Sequence, residues 1–551
     1  MENEKKTTFV KGAAILAIAG FVCKLIGLFF RVFAKQIIGE SGIDFYEQVY
    51  PTYTWLLIIS SSGIPTAISR MVAERAAVGN YNGAKHVFRR SLLLLLIIGA
   101  VTSALMFFGA EWLGTRVLNG RVGLKYSMMA LAPALLFVSV MCAYRGYLQG
   151  LQRMTGTSVS QLAQQIFKFV FGLLLAWLLF RKYSDTDYCY AAGAAGLLLG
   201  VTISEALALL VMIIFYARTR GQYKALIEDP NPNERVFIPM MAIAIPVTLG
   251  ASILPIANWL DSVMITRLLN SIGEPYTRIV VEPDFTFADL NYTALTTYVR
   301  SFINLPATLT VGVAMSIVPA ISAARIREDH ASVKQLSLLS LKISMAIGLP
   351  CAVGLCVLAE PIITLLFHPN SAESLAIATR LMHVAAFTVI FISLVQTATG
   401  ALQGVGKHRL PVYFLLIGGV TKIIVNLVFI PMKEVNILGA VLSNLACFGI
   451  AGVLDTIMLL RVTKAKLRIV DTFLKPALAS ALMGAAAWGA HALMMRSGVF
   501  NGSVMSSAAT VLAVLLAIVV YLVLMLVFGI FTKEELVYIP GGKKLARFAR
   551  R

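Results

Sequence analysis

RGYLQGLQRMTG (145–156) and TGALQGVGKHRL (399–410) share a Leu-Gln-Gly triplet 254 residues apart, each at the end of a long apolar run. The same offset takes Lys168 to Lys422, each inside the following apolar run. It also takes Pro65 of SGIPTAIS (62–69) to Pro319 of MSIVPAIS (315–322). Three agreements at one offset mark an internal duplication.

What is duplicated follows from the runs themselves. Apolar stretches of about 20 residues or more, each long enough to cross a bilayer, fall near 10–38, 48–73, 91–115, 124–149, 158–180, 189–217 and 236–269. Seven more fall near 290–323, 335–367, 374–403, 410–430, 437–460, 473–495 and 504–531. The 551 residues are 58% hydrophobic and only 13% charged, with a mean hydropathy of +0.81. Soluble domains carry about 25% charged residues, so the expectation is an all-α polytopic membrane protein with fourteen spans.

The offset divides those spans into a first lobe of six (residues 1–217) and a second of six (236–470). The polar segment at 218–235 links them. Spans thirteen and fourteen (471–531) stand outside the repeat as an appendage, followed by a basic tail (532–551). Six is even, so both lobes enter the membrane from the same side as parallel repeats. Transporters built this way place their site between the lobes near the midplane and rock one lobe against the other.

A formal charge of +20 would suggest nucleic-acid binding in a soluble chain. Here the excess sits in short loops such as KHVFRR (85–90), GKHR (406–409) and RVTKAKLR (461–468), where it sets membrane orientation. With both termini inside, basic residues on the inner side outnumber those outside about threefold. The outer loops are then ESGIDFYE (40–47), the acidic EPYTRIVVEPDFTFAD (274–289) and HPNSAES (368–374).

The first apolar run is too long for a signal peptide and reads as an uncleaved span. Cys23, Cys142, Cys189, Cys351, Cys356 and Cys447 have neither CxxC spacing nor clustered histidines, and read as small core residues. No nucleotide-binding loop or catalytic domain is legible, so the chain is not expected to be an enzyme or to need a cofactor. The membrane potential and a Na+ or H+ gradient both stay open as driving forces.

Charges at membrane depth carry the functional expectation, because a cation at the bilayer centre costs roughly 2.5–3.5 kcal/mol and usually faces a cavity or a partner. In CKLIGLFFRVFAK (23–35), Arg31 and Lys35 project within about 20° of Lys24 at 100° per residue. Lys24, Arg300, Lys168, Lys422 and Glu205 lie nearest the midplane. The excess of cations predicts an anion as ligand. Lys24, Arg31 and Arg300 are expected to line the site. Arg70 either joins them, snorkels inward or pairs with Glu74 one turn on.

Lys168 and Lys422 are open between a site role and a structural one. Glu205 is open between counter-ion and ion-coupling group. Lys35 and Lys342 are read as snorkelling residues, Asp261 and Asp455 as interface groups, and His383 and His491 as core histidines.

KLIGLFFR (24–31), IIGESGIDFYEQVYPTY (37–53), SGIPTAISRMVAE (62–74) and YVRSFINLPATLTVGVAMSIVPAIS (298–322), in this order, resemble the multidrug/oligosaccharidyl-lipid/polysaccharide (MOP) exporter superfamily. Within it they are similar to the SpoVB/YtgP polysaccharide biosynthesis group, related to the lipid II flippase MurJ. The resemblance implies a V-shaped two-lobe fold with a cationic cavity for a lipid-linked oligosaccharide pyrophosphate, and a lipid-tail groove at spans thirteen and fourteen. It carries functional basic positions over to Lys24, Arg31, Arg70 and Arg300.

Two positions depart from the MurJ-like pattern. Lys24 stands where arginine is more usual, one residue further from the next basic position. Val299 stands where an acidic residue tends to precede the span-eight arginine. The expected function is a flippase for a lipid II-type precursor in the bacterial plasma membrane. The alternatives are a flippase for a spore, capsule or teichoic precursor on a polyprenyl carrier, a drug or cation exporter, or a non-transporting scaffold. The expected partners are the glycan lipid, membrane lipids and the wall or spore synthesis machinery, with no nucleic acid.

Overall fold

In hydrocarbon every backbone N–H and C=O must be satisfied internally, and a chain this apolar does so by winding into helices. The computed structural model describes residues 2–118, 120–221, 236–281, 284–497, 502–532 and 535. The first unit, Met1–Thr293, holds α1 (Glu2–Ser61), α2 (Gly63–Ala77), α3 (Tyr81–Phe108), α4 (Ala110–Trp112), α5 (Leu124–Gly150), α6 (Met154–Lys182), α7 (Cys189–Arg220), α8 (Phe237–Asn270) and α9 (Phe287–Thr293). A small antiparallel hairpin pairs β1 (Ile279–Val281) with β2 (Phe285–Thr286).

The second unit, Ala294–Arg551, holds α10 (Arg300–Ile326), α11 (His330–Val357), α12 (Ala359–Phe367), α13 (Ala372–Ala385), α14 (Thr388–Gly404), α15 (Leu410–Phe429), α16 (Leu438–Thr463), α17 (Lys475–Arg496) and α18 (Ser503–Val527). Among the described residues, three segments wind as π-helix: Leu113–Val117, Ala294–Val299 and Val470–Leu474.

Among the described residues, eleven helices are long and apolar enough to cross a membrane. The count is twelve if α13 and α14, bent by 44°, form one span. The protein is a multi-pass membrane protein. In the first unit α6 and α5 pack on α7, α1 packs on α6, and α2 packs on α8. In the second, α15 and α14 pack on α16, α10 on α14, and α17 on both α11 and α18. Thus α8, which the sequence boundary assigns to the second lobe, packs against α1 and α2 of the first unit. The 218–235 linker lies outside the described residues from position 222 on, as does the tail apart from residues 532 and 535.

The structure corrects one loop. Residues 40–47 continue α1 as helix, and Glu40, Ser41, Asp44 and Glu47 are all buried. The break within α1 is a single residue, Gly39, at φ 70°, a left-handed conformation that glycine adopts without Cβ strain. Sequence reading placed a loop there because ESGIDFYE is polar. Its polar groups instead meet partners inside the unit.

The two Leu-Gln-Gly copies do the same mechanical work in each unit. A Cβ on Gly150 would stand 2.7 Å from both the Ser69 carbonyl oxygen and Val72 Cβ of α2. One on Gly404 would stand 2.9 Å from Ile321 Cβ of α10. Each glycine therefore lets two helix backbones approach closely, the usual role of small residues in membrane packing.

Candidate functional site

The charged stripe of α1 separates into three environments. Lys24 is exposed and has no ion-pair partner among the described residues. Arg31 Nε lies 3.2 Å from Glu47 Oε1 on the same helix beyond the Gly39 break, close enough for an ion pair but not aligned as a hydrogen bond. Lys35 is 1% exposed. The expectation that it snorkels to the outer interface is therefore wrong: protein, not headgroup, surrounds it.

Lys168 on α6 is buried in an aromatic box. Its Nζ donates to the Tyr46 hydroxyl at 3.1 Å and sits 4.6 Å from the Phe30 ring centroid and 4.9 Å from that of Tyr50. Tyr46 and Tyr50 stack on each other with centroids 4.8 Å apart. Ring faces attract a desolvated ammonium by up to about 2 kcal/mol, which offsets part of the cost of burying the lysine.

One turn earlier, Gln164 Nε2 donates to Glu205 Oε1 at 2.6 Å, and Gln164 Oε1 accepts from Arg145 Nη2 at 3.2 Å. Arg145 also donates to Ser160 Oγ at 3.1 Å. Both Arg145 and Lys168 act on Glu205 electrostatically. The first unit therefore holds a polar network in which Arg145, Gln164 and Lys168 surround the buried Glu205. Arg145 was missed in the sequence because it sits at the edge of its apolar run, where a basic residue reads as ordinary.

Arg70 pairs with Glu74 at 2.9 Å, the side chains 66% and 58% exposed. Such i,i+4 pairs are worth only about 0.3–0.5 kcal/mol, so the guanidinium stays available to a stronger anion. Arg300 opens α10 directly after the π-helical Ala294–Val299 and is half-buried. Lys422 is buried on α15. A polar cavity of about 530 Å³, lined by Ser322, Arg325, Ile326, Gln403 and Gly404, opens where the second Leu-Gln-Gly copy meets α10.

Three further readings are corrected. Lys342 does not snorkel: its Nζ meets Glu535 Oε2 at 2.7 Å and lies 5.4 Å from the Phe531 ring centroid. Asp261 and Asp455 are not interface groups, since each is 1% exposed. Asp455 accepts a hydrogen bond from Thr399 at 2.9 Å. His383 is not a core histidine: it is exposed, with Nδ1 2.9 Å from the Cys356 carbonyl oxygen. Among the described residues no group of three or more His, Cys, Asp or Glu is placed to hold a metal.

A second charge cluster joins α1, the turn before α5 and the β-hairpin of the first unit. Arg121, in the turn before α5, has its guanidinium 4.1 Å from the Phe45 ring centroid and 5.1 Å from that of Phe285. It contacts Asp44 at 2.6 Å, Asp284 at 3.2 Å and Ser41 Oγ at 2.9 Å. Asp44 also accepts from Gln48 at 2.6 Å and Thr293 at 3.0 Å, and Asp284 accepts from the Val122 amide at 2.6 Å. The acidic hairpin is thereby tied to α1.

Helices this long and apolar define a multi-pass membrane protein, and comparison with known proteins gives its family. The chain belongs to the polysaccharide biosynthesis protein family, whose profile matches residues 9–323, and a MatE profile matches residues 291–428. Its fold is that of the MOP superfamily.

Among individual relatives, it is 23% identical to lipid II flippase MurJ of Bacillus subtilis (strain 168) over 79% of each chain. It is 24% identical to stage V sporulation protein B of the same organism over 97% of this chain and 98% of that one. Among solved structures, lipid II flippase MurJ in an inward closed conformation aligns with a TM-score of 0.65 at 16% identity, covering 94% of this chain and 99% of that one. An inward-facing multidrug resistance MATE family transporter of the MOP superfamily aligns at 0.64 and 13% identity, covering 80% and 94%.

Proposed function

We propose that this protein is a flippase that carries a lipid-linked oligosaccharide pyrophosphate, of the lipid II type, across the bacterial plasma membrane by alternating access, making and breaking no bond. The observation that carries this reading is the set of cations on the long apolar helices of a polysaccharide biosynthesis family member: Lys24, Arg31, Lys168, Arg300 and Lys422.

In this reading the chain has fourteen spans, α1 and α2 carrying the first two. They form two parallel six-helix lobes (1–217 and 236–470), with 471–531 as a lipid-tail groove and both termini cytoplasmic. Lys24, Arg31, Arg70 and Arg300 engage the pyrophosphate, while Lys168 and Lys422 add positive potential from their buried positions. Lys24 offers a point charge where an arginine would offer a bidentate fork. Outward movement of the anion down an inside-negative potential releases about 2.3 kcal/mol per net charge per 100 mV, a sufficient driving force without ATP. Glu205 is the candidate for any additional ion coupling.

A second substrate reading, another polyprenyl-linked glycan such as a spore, capsule or teichoic precursor, is favoured by the coverage of the sporulation relative, which extends over nearly the whole chain. The test is complementation of a strain depleted of its lipid II flippase. The wild-type chain restores growth, and Arg300→Ala or Arg31→Ala at equal protein level does not. Full growth with either variant would remove the anion site. Failure of the wild type alongside rescue of a spore-glycan defect would move the substrate to the second class.

A further inference from the structure

The duplication allows residues of one unit to be read against their counterparts, and one of the pairs that differ changes a charge beside the shared triplet. Arg145 opens the first Leu-Gln-Gly segment, and 254 residues later the equivalent position is Thr399. Each belongs to the surroundings of an acid on a following helix. In the first unit Arg145 bonds Gln164, which bonds Glu205, and Lys168 adds a second cation. In the second, Thr399 Oγ1 donates to Asp455 Oδ2 at 2.9 Å, and Asp455 Oδ1 has no hydrogen-bond partner among the described residues. The acids themselves do not align, since at that offset Glu205 falls on Leu459 and Asp455 on Val201; each unit holds a buried acid at its own position, and only the first supplies it with cations.

The charged groups around α16 do not replace that cation. α14 carries no titratable side chain. α15 brings Tyr413 and Lys422, α13 brings Glu373, Arg380 and His383, and α11 brings His330, Lys334, Lys342 and two cysteines. Lys342 is held by Glu535 and His383 by the Cys356 carbonyl. None of the cations forms an ion pair with Asp455, whose one side-chain interaction is with Thr399.

The surroundings are also close-packed. A Cβ on Gly452, one turn before Asp455, would stand 3.3 Å from Leu394 Cβ and from the Phe391 carbonyl oxygen of α14. An ionised carboxylate needs a cation or several donors to be buried, and this one has a single hydroxyl. A hard metal cation would collect six or more oxygen ligands, which this packing does not offer.

We infer that Asp455 is a proton-binding site of the second unit, a carboxylic acid positioned by the Thr399 hydroxyl. The proton resides on Asp455 while α14 and α16 are packed together and leaves when that contact is wetted. Under the proposed alternating-access reading it supplies H+ coupling, and only that use of the site rests on the reading.

The test is infrared difference spectroscopy of the full chain in lipid nanodiscs, titrated from mildly acidic to mildly alkaline pH. Wild type minus Asp455→Asn should show a protonated-carboxyl C=O band that titrates with pH. Asp455→Glu should retain a shifted band. Thr399→Arg, which restores the arginine of the first copy, should abolish the band with Asp455 still present. Thr399→Val serves if the arginine variant does not fold, and should move the titration to higher pH by removing the donor to the charged form. Absence of a band difference between wild type and Asp455→Asn, or a titration unmoved by every foldable Thr399 variant, would overturn the inference. The readout involves no glycan lipid, so a titrating band in a protein that fails to flip the lipid would leave the site standing and reject the flippase reading.

Discussion

Replacing Arg121 with alanine should be among the most damaging single changes outside the membrane-spanning cations. Arg121 contacts Asp44, a side chain with 0% exposure, at 2.6 Å, while two aromatic rings cover the guanidinium. Removing one partner of a buried pair leaves an uncompensated charge and costs about 3–5 kcal/mol, against about 0–1 kcal/mol for an exposed pair. Asp284 is 26% exposed, so Asp284→Asn should fall near the lower figure.

Equilibrium denaturation in detergent, with Arg121→Ala, Asp44→Asn and the double variant, measures the coupling directly. The double variant should be more stable than the sum of the single losses predicts, by about 2 kcal/mol, because neutralising Asp44 removes the orphaned charge. If Arg121→Ala cost under about 1 kcal/mol, or if the two losses simply added, the clamp would be a surface pair and the reasoning from burial would fail.

Gly150→Ala and Gly404→Ala should each lower stability by about 1–3 kcal/mol, since the new methyl meets backbone or a β-branched side chain within 3 Å; thermal unfolding of the purified variants checks this. At the start of α11, the Ser332 hydroxyl and backbone amide both donate to Asp329 and hold its carboxyl below the usual aspartate range. The stability this cap contributes is complete above the unfolded-state pKa and fades as pH falls through the lowered folded value. Hydrogen-exchange protection of the first turn should therefore drop at acid pH in the wild type and lose that step in Asp329→Ala.

The sequence was most informative where physics acts one residue at a time. Hydropathy located the helices, and the 254-residue offset located paired positions such as Gly150 and Gly404 because close helix approach tolerates no Cβ at either. Hydropathy reports depth but not facing. Lys35, Lys342 and Asp455 were therefore assigned to water or headgroups, when their partners come from elements distant in sequence or from the far side of a break. Arg121 was passed over as a loop charge, although the acidic 274–289 segment was a visible complement. The signal that would have found Arg145 was present in the duplication, as an arginine aligned with a threonine beside an otherwise shared triplet.

The central claim is that this chain moves a pyrophosphate-linked glycan lipid across a membrane on intramembrane cations. Its most direct test is translocation of fluorescent lipid II in proteoliposomes, read as access of the headgroup to an external quencher under an imposed potential. The account predicts transport that depends on the protein, accelerates when the side the lipid leaves is negative, and is lost in Arg300→Ala with normal folding. Headgroup access no faster than in protein-free liposomes, or unchanged transport in folded Arg300→Ala, would contradict it.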